Sequence, residues 1–186
     1  FILKNPAMAI EYESMCLIRE TRPSDQGYAQ FCSDLENSKK THTRGGTIEP
    51  LFYRYVVREG ETIFTVAASL SLRQDTIATV NSIEDTSRNI EGIQLVIPSC
   101  DGLFVPELPQ NQTELLLAGE HSSFIEQSQP DLYSINGRKF YFLPESRFSP
   151  SIRAYFLNPG MAMPLEKSVL TSAYGMRVSP VSGIKK

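Results

Sequence analysis

Tryptophan is absent from the 186 residues, and there are only two histidines and three cysteines. A catalytic zinc site holds its metal through three protein ligands, most often including histidine. His42 sits in a polar stretch and His121 in Gly119-Glu120-His121-Ser122-Ser123, far apart and without ligand spacing. Glu120-His121-Ser122 holds the residue types of a hydrolytic triad, but a triad is a spatial constellation and sequence neighbours seldom form one. Cys16, Cys32 and Cys100 form no Cys-x-x-Cys pair, which excludes a zinc ribbon and a thioredoxin-type redox site. One disulfide with a free thiol, or three free thiols, both remain open. The apolar run Leu115-Leu116-Leu117-Ala118 falls far short of the ~20 residues that span a bilayer. No basic-then-apolar leader opens the chain. It begins on Phe1, as a processed product or a fragment does. A formal charge of −3 argues against nucleic acid as a partner, since such surfaces are basic. There is no glycine-rich phosphate loop and no defensible pair of catalytic carboxylates.

What is present is a folding composition, with 41% hydrophobic and 21% charged residues. Punctuation divides it into four segments. Residues 1–52 show weak periodicity, and Ser38 to Gly46, closing on Gly45-Gly46, reads as an exposed linker, so loose structure is expected there. In residues 53–98, Tyr53, Tyr55 and Val57 alternate with polar or exposed positions, which predicts a strand ending at Glu59-Gly60. Thr62 stands where a helix N-cap belongs. Ile63, Val66, Ala67 and Leu70 recur at helical spacing. Ser71 or Asp75 starts a second helix with Leu72, Ile77 and Val80 on its apolar side, and Leu95-Val96-Ile97 forms a strand stopped by Pro98. Two strands enclosing two helices in so short a span predict antiparallel pairing, with both helices on one face. Residues 99–160 read as more strand. Leu132–Ile135 and Lys139–Phe142 flank Asn136-Gly137, a pair suited to a type I′ hairpin. Residues 161–186 form the last segment. The predicted class is α+β.

Tyr55-Val56-Val57-Arg58-Glu59-Gly60-Glu61-Thr62, with Ala67, Asn81 and Gly92-x-x-Leu95-x-Ile97-Pro98 in order behind it, resembles a LysM domain. That family is a βααβ module that binds N-acetylglucosamine polymers such as peptidoglycan and chitin. The resemblance implies a shallow groove with Gly60, Glu61, Thr62, Ile63 and Phe64 on one side. Asn89, Ile90, Glu91, Gly92 and Ile93 would form the other. Backbone amides and carbonyls there would read the acetamido groups. Ile93 stands where the family usually has a polar residue, often Gln. Asn89 stands where an apolar residue is usual, with Ile90 one place late, which points to a reshaped second loop. Apart from the resemblance, Tyr55, Val57, Ile63, Ala67, Leu95 and Ile97 are core candidates, and Asn81 is expected to tie loops together through its amide.

A second series, Met163-Pro164-Leu165, Leu170 to Arg177, Pro180 and Gly183, resembles the opening of the LytM/lysostaphin-type zinc metallopeptidases that cut peptidoglycan cross-bridges. In that family a His-x-x-x-Asp element and a later His-x-His supply the zinc ligands and the general base. The sequence reaches Lys186 without either, so this chain is expected to be inert, with no cofactor of its own and zinc only in a longer parent.

The expectation is therefore a bacterial envelope protein, periplasmic or exported, that binds peptidoglycan without catalysis as the targeting part of a cell-wall hydrolase. The alternatives are a fragment of a zinc endopeptidase, or an envelope interaction protein or adhesin that keeps the fold without binding sugar.

Overall fold

The structure, a computed structural model, describes residues 9–158. In chain order the elements are β1 (Ala9–Ile10), a 3₁₀ turn (Tyr12–Ser14), β2 (Cys16–Ile18), α1 (Gln26–Thr43), β3 (Phe52–Val56), α2 (Ile63–Ser69), α3 (Gln74–Val80), β4 (Gln94–Pro98), β5 (Gly102–Pro106), α4 (Gln112–Ser128), β6 (Leu132–Ile135), β7 (Arg138–Pro144) and α5 (Pro150–Leu157). They form two sheets, ordered β1-β6-β7-β5 and β2-β3-β4. The class is α+β.

The central unit follows the sequence pattern. β3 and β4 pair antiparallel, with Tyr53 opposite Ile97 and Tyr55 opposite Leu95. Gly60 has a φ of +75°, where a side chain would be strained, and turns the chain from β3 towards α2. Thr62 caps α2 in a reciprocal capping box with Thr65. Ile63, Val66, Ala67 and Leu70 are all buried. The second helix starts at neither Ser71 nor Asp75 but at Gln74. Its cap residue Arg73 provides no side-chain bond, and its amide instead donates to the Asp101 carboxylate at 2.8 Å. Asn81 ends α3 and donates to the carbonyls of Ile77 and Val96, both at 2.8 Å, while its Oδ1 accepts the Val96 amide at 2.7 Å.

Three expectations are corrected. The stretch read as a linker is mostly helix, because α1 runs on to Thr43 and only Gly45, at φ +74°, ends it. Tyr28, Phe31, Cys32 and Leu35 lie on one stripe of α1 and pack against the main core. The N-terminal segment is also not loose between residues 9 and 18, since β1 pairs parallel with β6 and β2 pairs parallel with β3. Residues 99–158 hold two helices besides their strands. α4 is capped by Asn111, which accepts the Glu114 amide at 2.9 Å, and α5 by Ser149 with Pro150 in its first turn. The Asn136-Gly137 hairpin is as expected, with φ of 47° and 75° at the two residues and Ile135 paired with Arg138. Residues 161–186, and with them the peptidase-like series, lie outside the described residues.

Side-chain alternation shares the strands between two apolar clusters. Leu95, Ile97, Leu103 and Val105 enter the larger, which also holds Leu117, Leu143, Ile152 and Phe156 from the later elements. Val96, Phe104, Phe140 and Phe142 enter the smaller. Each fully buried side chain of this size contributes roughly 1.5–3 kcal/mol, so the βααβ unit draws much of its stability from residues outside it. A polar weld adds to this. Arg73 lies 3.6 Å from Asp101 and 3.8 Å from both Asp75 and Glu145, and buried Asp75 accepts the Phe148 amide at 3.1 Å.

Candidate functional site

A cleft of about 250 Å³ opens on the βααβ unit between the start of α2 and the loop from α3 to β4. Its first wall is Glu61, Thr62, Ile63 and Phe64. The Glu61 carboxylate accepts the Tyr55 hydroxyl at 2.7–2.8 Å and the Arg58 amide at 2.9 Å, which fixes the turn around Gly60. Tyr55 is fully buried, and burial first, then the Glu61 carboxylate, pushes its phenol up to about 12. The capping box consumes the amides of Thr62 and Thr65, leaving those of Ile63 and Phe64 without an acceptor among the described residues. Ile63 turns its side chain into the core, whereas Phe64 is 43% exposed.

The second wall is Ile83, then Asp85 to Ile90. Asp85 accepts both the amide and the hydroxyl of Ser87, folding the loop on itself, and Asn89 accepts the Glu91 amide at 3.0 Å. Ile83 and Ile90 are buried anchors. Arg88 is exposed, is the only basic residue of the lining, and makes no hydrogen bond or ion pair among the described residues.

This wall is braced from outside the βααβ unit. Glu84 accepts the Gln112 amide at 3.2 Å, and its carbonyl accepts the Thr113 hydroxyl at 2.5 Å, both from the start of α4. The Thr86 amide donates to the Phe156 carbonyl of α5 at 3.1 Å. Arg138 of β7 donates to the Ser82 hydroxyl and, through both terminal nitrogens at 3.0 Å, to the Glu114 carboxylate. Burial raises the Glu114 pKa, but the bonds from Arg138 and the Gln110 amide outweigh it and hold the carboxyl below its ordinary range.

Of the ten residues expected to form the groove, six line this cleft: Glu61, Thr62, Ile63, Phe64, Asn89 and Ile90. Gly60, Glu91, Gly92 and Ile93 do not. Gly92 and Ile93 hold the strand pair instead, the Gly92 amide donating to the Val57 carbonyl and the Ile93 carbonyl accepting from Val57. Sequence reasoning missed Asp85 to Arg88, because the second wall was placed too close to β4. The signal for an ordered loop was Asp85-x-Ser87, whose short polar side chains favour such turns.

Among the described residues the cleft offers two free amides, an exposed ring, hydroxyls and one unpaired cation, which suits recognition of a polar ligand. Among the described residues no group of three or more His, Cys, Asp or Glu is placed to hold a metal ion, and no helix is long and apolar enough to cross a membrane. Cys100 is buried, Cys32 half-buried and Cys16 exposed, all as free thiols. His121 is half-buried on α4, its pKa lowered by burial and its Nε2 without a partner among the described residues. No family model matches the chain, and neither the curated proteins nor the solved structures give a match.

Proposed function

We propose that the chain binds N-acetylglucosamine-containing cell-wall glycan, in particular peptidoglycan, through the cleft between residues 61–64 and 83–90. Binding is non-catalytic and places the protein in the bacterial envelope as the targeting part of a cell-wall hydrolase. The observation that carries the reading is the position of the cleft. It lies on a βααβ unit whose sequence series resembles LysM, and the half-exposed Phe64 stands on its wall beside two free amides. A ring offers an apolar face to the C–H face of a pyranose, and amides suit the carbonyl of an acetamido group. A zinc peptidase in a longer parent rests on the sequence of residues 161–186 alone and carries no part of this reading.

One observation favours a second reading, an envelope interaction protein without sugar binding. Four of the ten groove residues implied by the family lie off the cleft, and Ile93 packs against the core. Co-sedimentation with purified insoluble peptidoglycan separates the two. Wild type is expected in the pellet and Phe64→Ala in the supernatant, with both proteins folded by circular dichroism. Wild type left in solution at low salt sinks the glycan reading and favours the second.

A further inference from the structure

Resting on the glycan reading, we propose that the cleft selects strands bearing a free carboxylate beside the acetamido sugar, and that Arg88 is the residue that reads it. The ligand class is a muramic-acid-type strand with its lactyl carboxylate free, in preference to an uncharged N-acetylglucosamine polymer.

The argument begins with how the charged groups of the cleft are used. Glu61 is committed to Tyr55 and Arg58, and Asp85 to Ser87, so both acids are tied into the walls. Among the described residues Arg88 has no such commitment, and it lies on the loop that forms the cleft wall opposite Phe64. A guanidinium presents a planar fork that matches a carboxylate with two parallel bonds, which a hydroxyl or acetamido oxygen of a neutral sugar cannot match. The loop that carries Arg88 is fixed at both ends, through Thr86 to α5 and through Ile90 to the core. The backbone under the fork is therefore pre-positioned, and less order is lost on binding. Phe64 fixes the ring of one sugar and Arg88 the acid of its neighbour, so an alternating strand satisfies both walls where a uniform polymer satisfies one.

The test is a calorimetric titration of the full chain with three tetrasaccharides. One is N-acetylglucosamine only, one alternates N-acetylglucosamine with N-acetylmuramic acid, and the third is the methyl ester of the second. Wild type is expected to bind the acid roughly fivefold tighter than its ester, the size of a partly exposed charge-assisted pair, with the margin shrinking in high salt. Arg88→Gln is expected to bind acid and ester equally, and Arg88→Lys to keep part of the preference. Equal binding of acid and ester by wild type, or a preference that survives in Arg88→Gln, overturns the role of Arg88 while leaving the glycan reading intact. Binding of none of the three overturns both.

Discussion

Replacing Arg138 with Met removes the guanidinium, whose Cζ lies 5.2 Å from the centre of the Phe140 ring, but keeps much of the apolar stem. Glu114 is only 3% exposed, and the change strips both guanidinium donors from its carboxylate, leaving the Gln110 amide at 2.6 Å and the Ser82 hydroxyl. Breaking a buried pair by removing one partner costs about 3–5 kcal/mol, and the lower end applies because the Arg138 side chain is 25% exposed. At about 3 kcal/mol the melting temperature should fall by roughly 6–12 °C for a chain of this size. The pH dependence sharpens the test. In wild type the depressed pKa of Glu114 contributes stability above the ordinary carboxylate range, and this is lost as pH falls through the folded value. In the variant burial acts unopposed by Arg138, so protonation relieves the strain and the gap between the two proteins narrows from pH 7 to pH 4. Adding Glu114→Gln should restore at least half of the loss at pH 7. Urea unfolding of the three proteins at both pH values measures each quantity. An Arg138→Met midpoint equal to wild type, or a double variant no better than the single, refutes the stabilising role of the Arg138–Glu114 pair.

Two further predictions follow from buried polar groups. Asn81→Ala removes three bonds at the end of α3 and leaves the Val96 amide unpaired, which should cost about 2 kcal/mol by denaturant unfolding; a loss under about 0.5 kcal/mol rules the bracket out. Tyr55 and Tyr133 are both raised to about 12, chiefly by burial, and Tyr53 is raised by burial and Asp34. Neutral phenols therefore stabilise the fold fully below pH 10, and that contribution is lost as pH rises from about 10 to about 12. Phenolate absorbance should show these groups ionising together with unfolding, and a simple titration of all eight tyrosines near pH 10 contradicts it.

The βααβ unit was legible because every local signal agreed: alternation in β3, helical spacing in α2, the Thr62 cap and the glycine turn at 60. The hairpin at Asn136-Gly137 was legible for the same reason. α1 was not, because its apolar stripe is narrow and its last turns, Lys39 to Thr43, are polar and project beyond the core. α4 hides its period in the consecutive run Leu115-Leu116-Leu117-Ala118, of which only Leu117 is fully buried. Its start was written in Asn111-x-x-Glu114, a capping pattern at the helix N-terminus. Half of the cleft was legible through the turn at Gly60. The bracing of the other half by Glu84, Thr86 and Arg138 was not, since those contacts join residues from 24 positions apart (Arg138 and Glu114) to 70 apart (Thr86 and Phe156), or depend on helices the pattern did not show.

The bracket that Asn81 makes has a consequence for self-association. β4 reads Gln-Leu-Val-Ile-Pro and lies at the edge of its sheet, the kind of apolar strand on which a second chain can grow. Several of its outward backbone groups are already taken. The Asn81 amide meets both the N–H and the C=O of Val96 as a neighbouring peptide would, the Tyr12 hydroxyl donates to the Gln94 carbonyl at 3.3 Å, and Pro98 has no N–H to offer. An incoming strand finds the middle of the ladder already closed. This apolar segment is thereby hindered from templating a cross-β stack when copies of the protein crowd together.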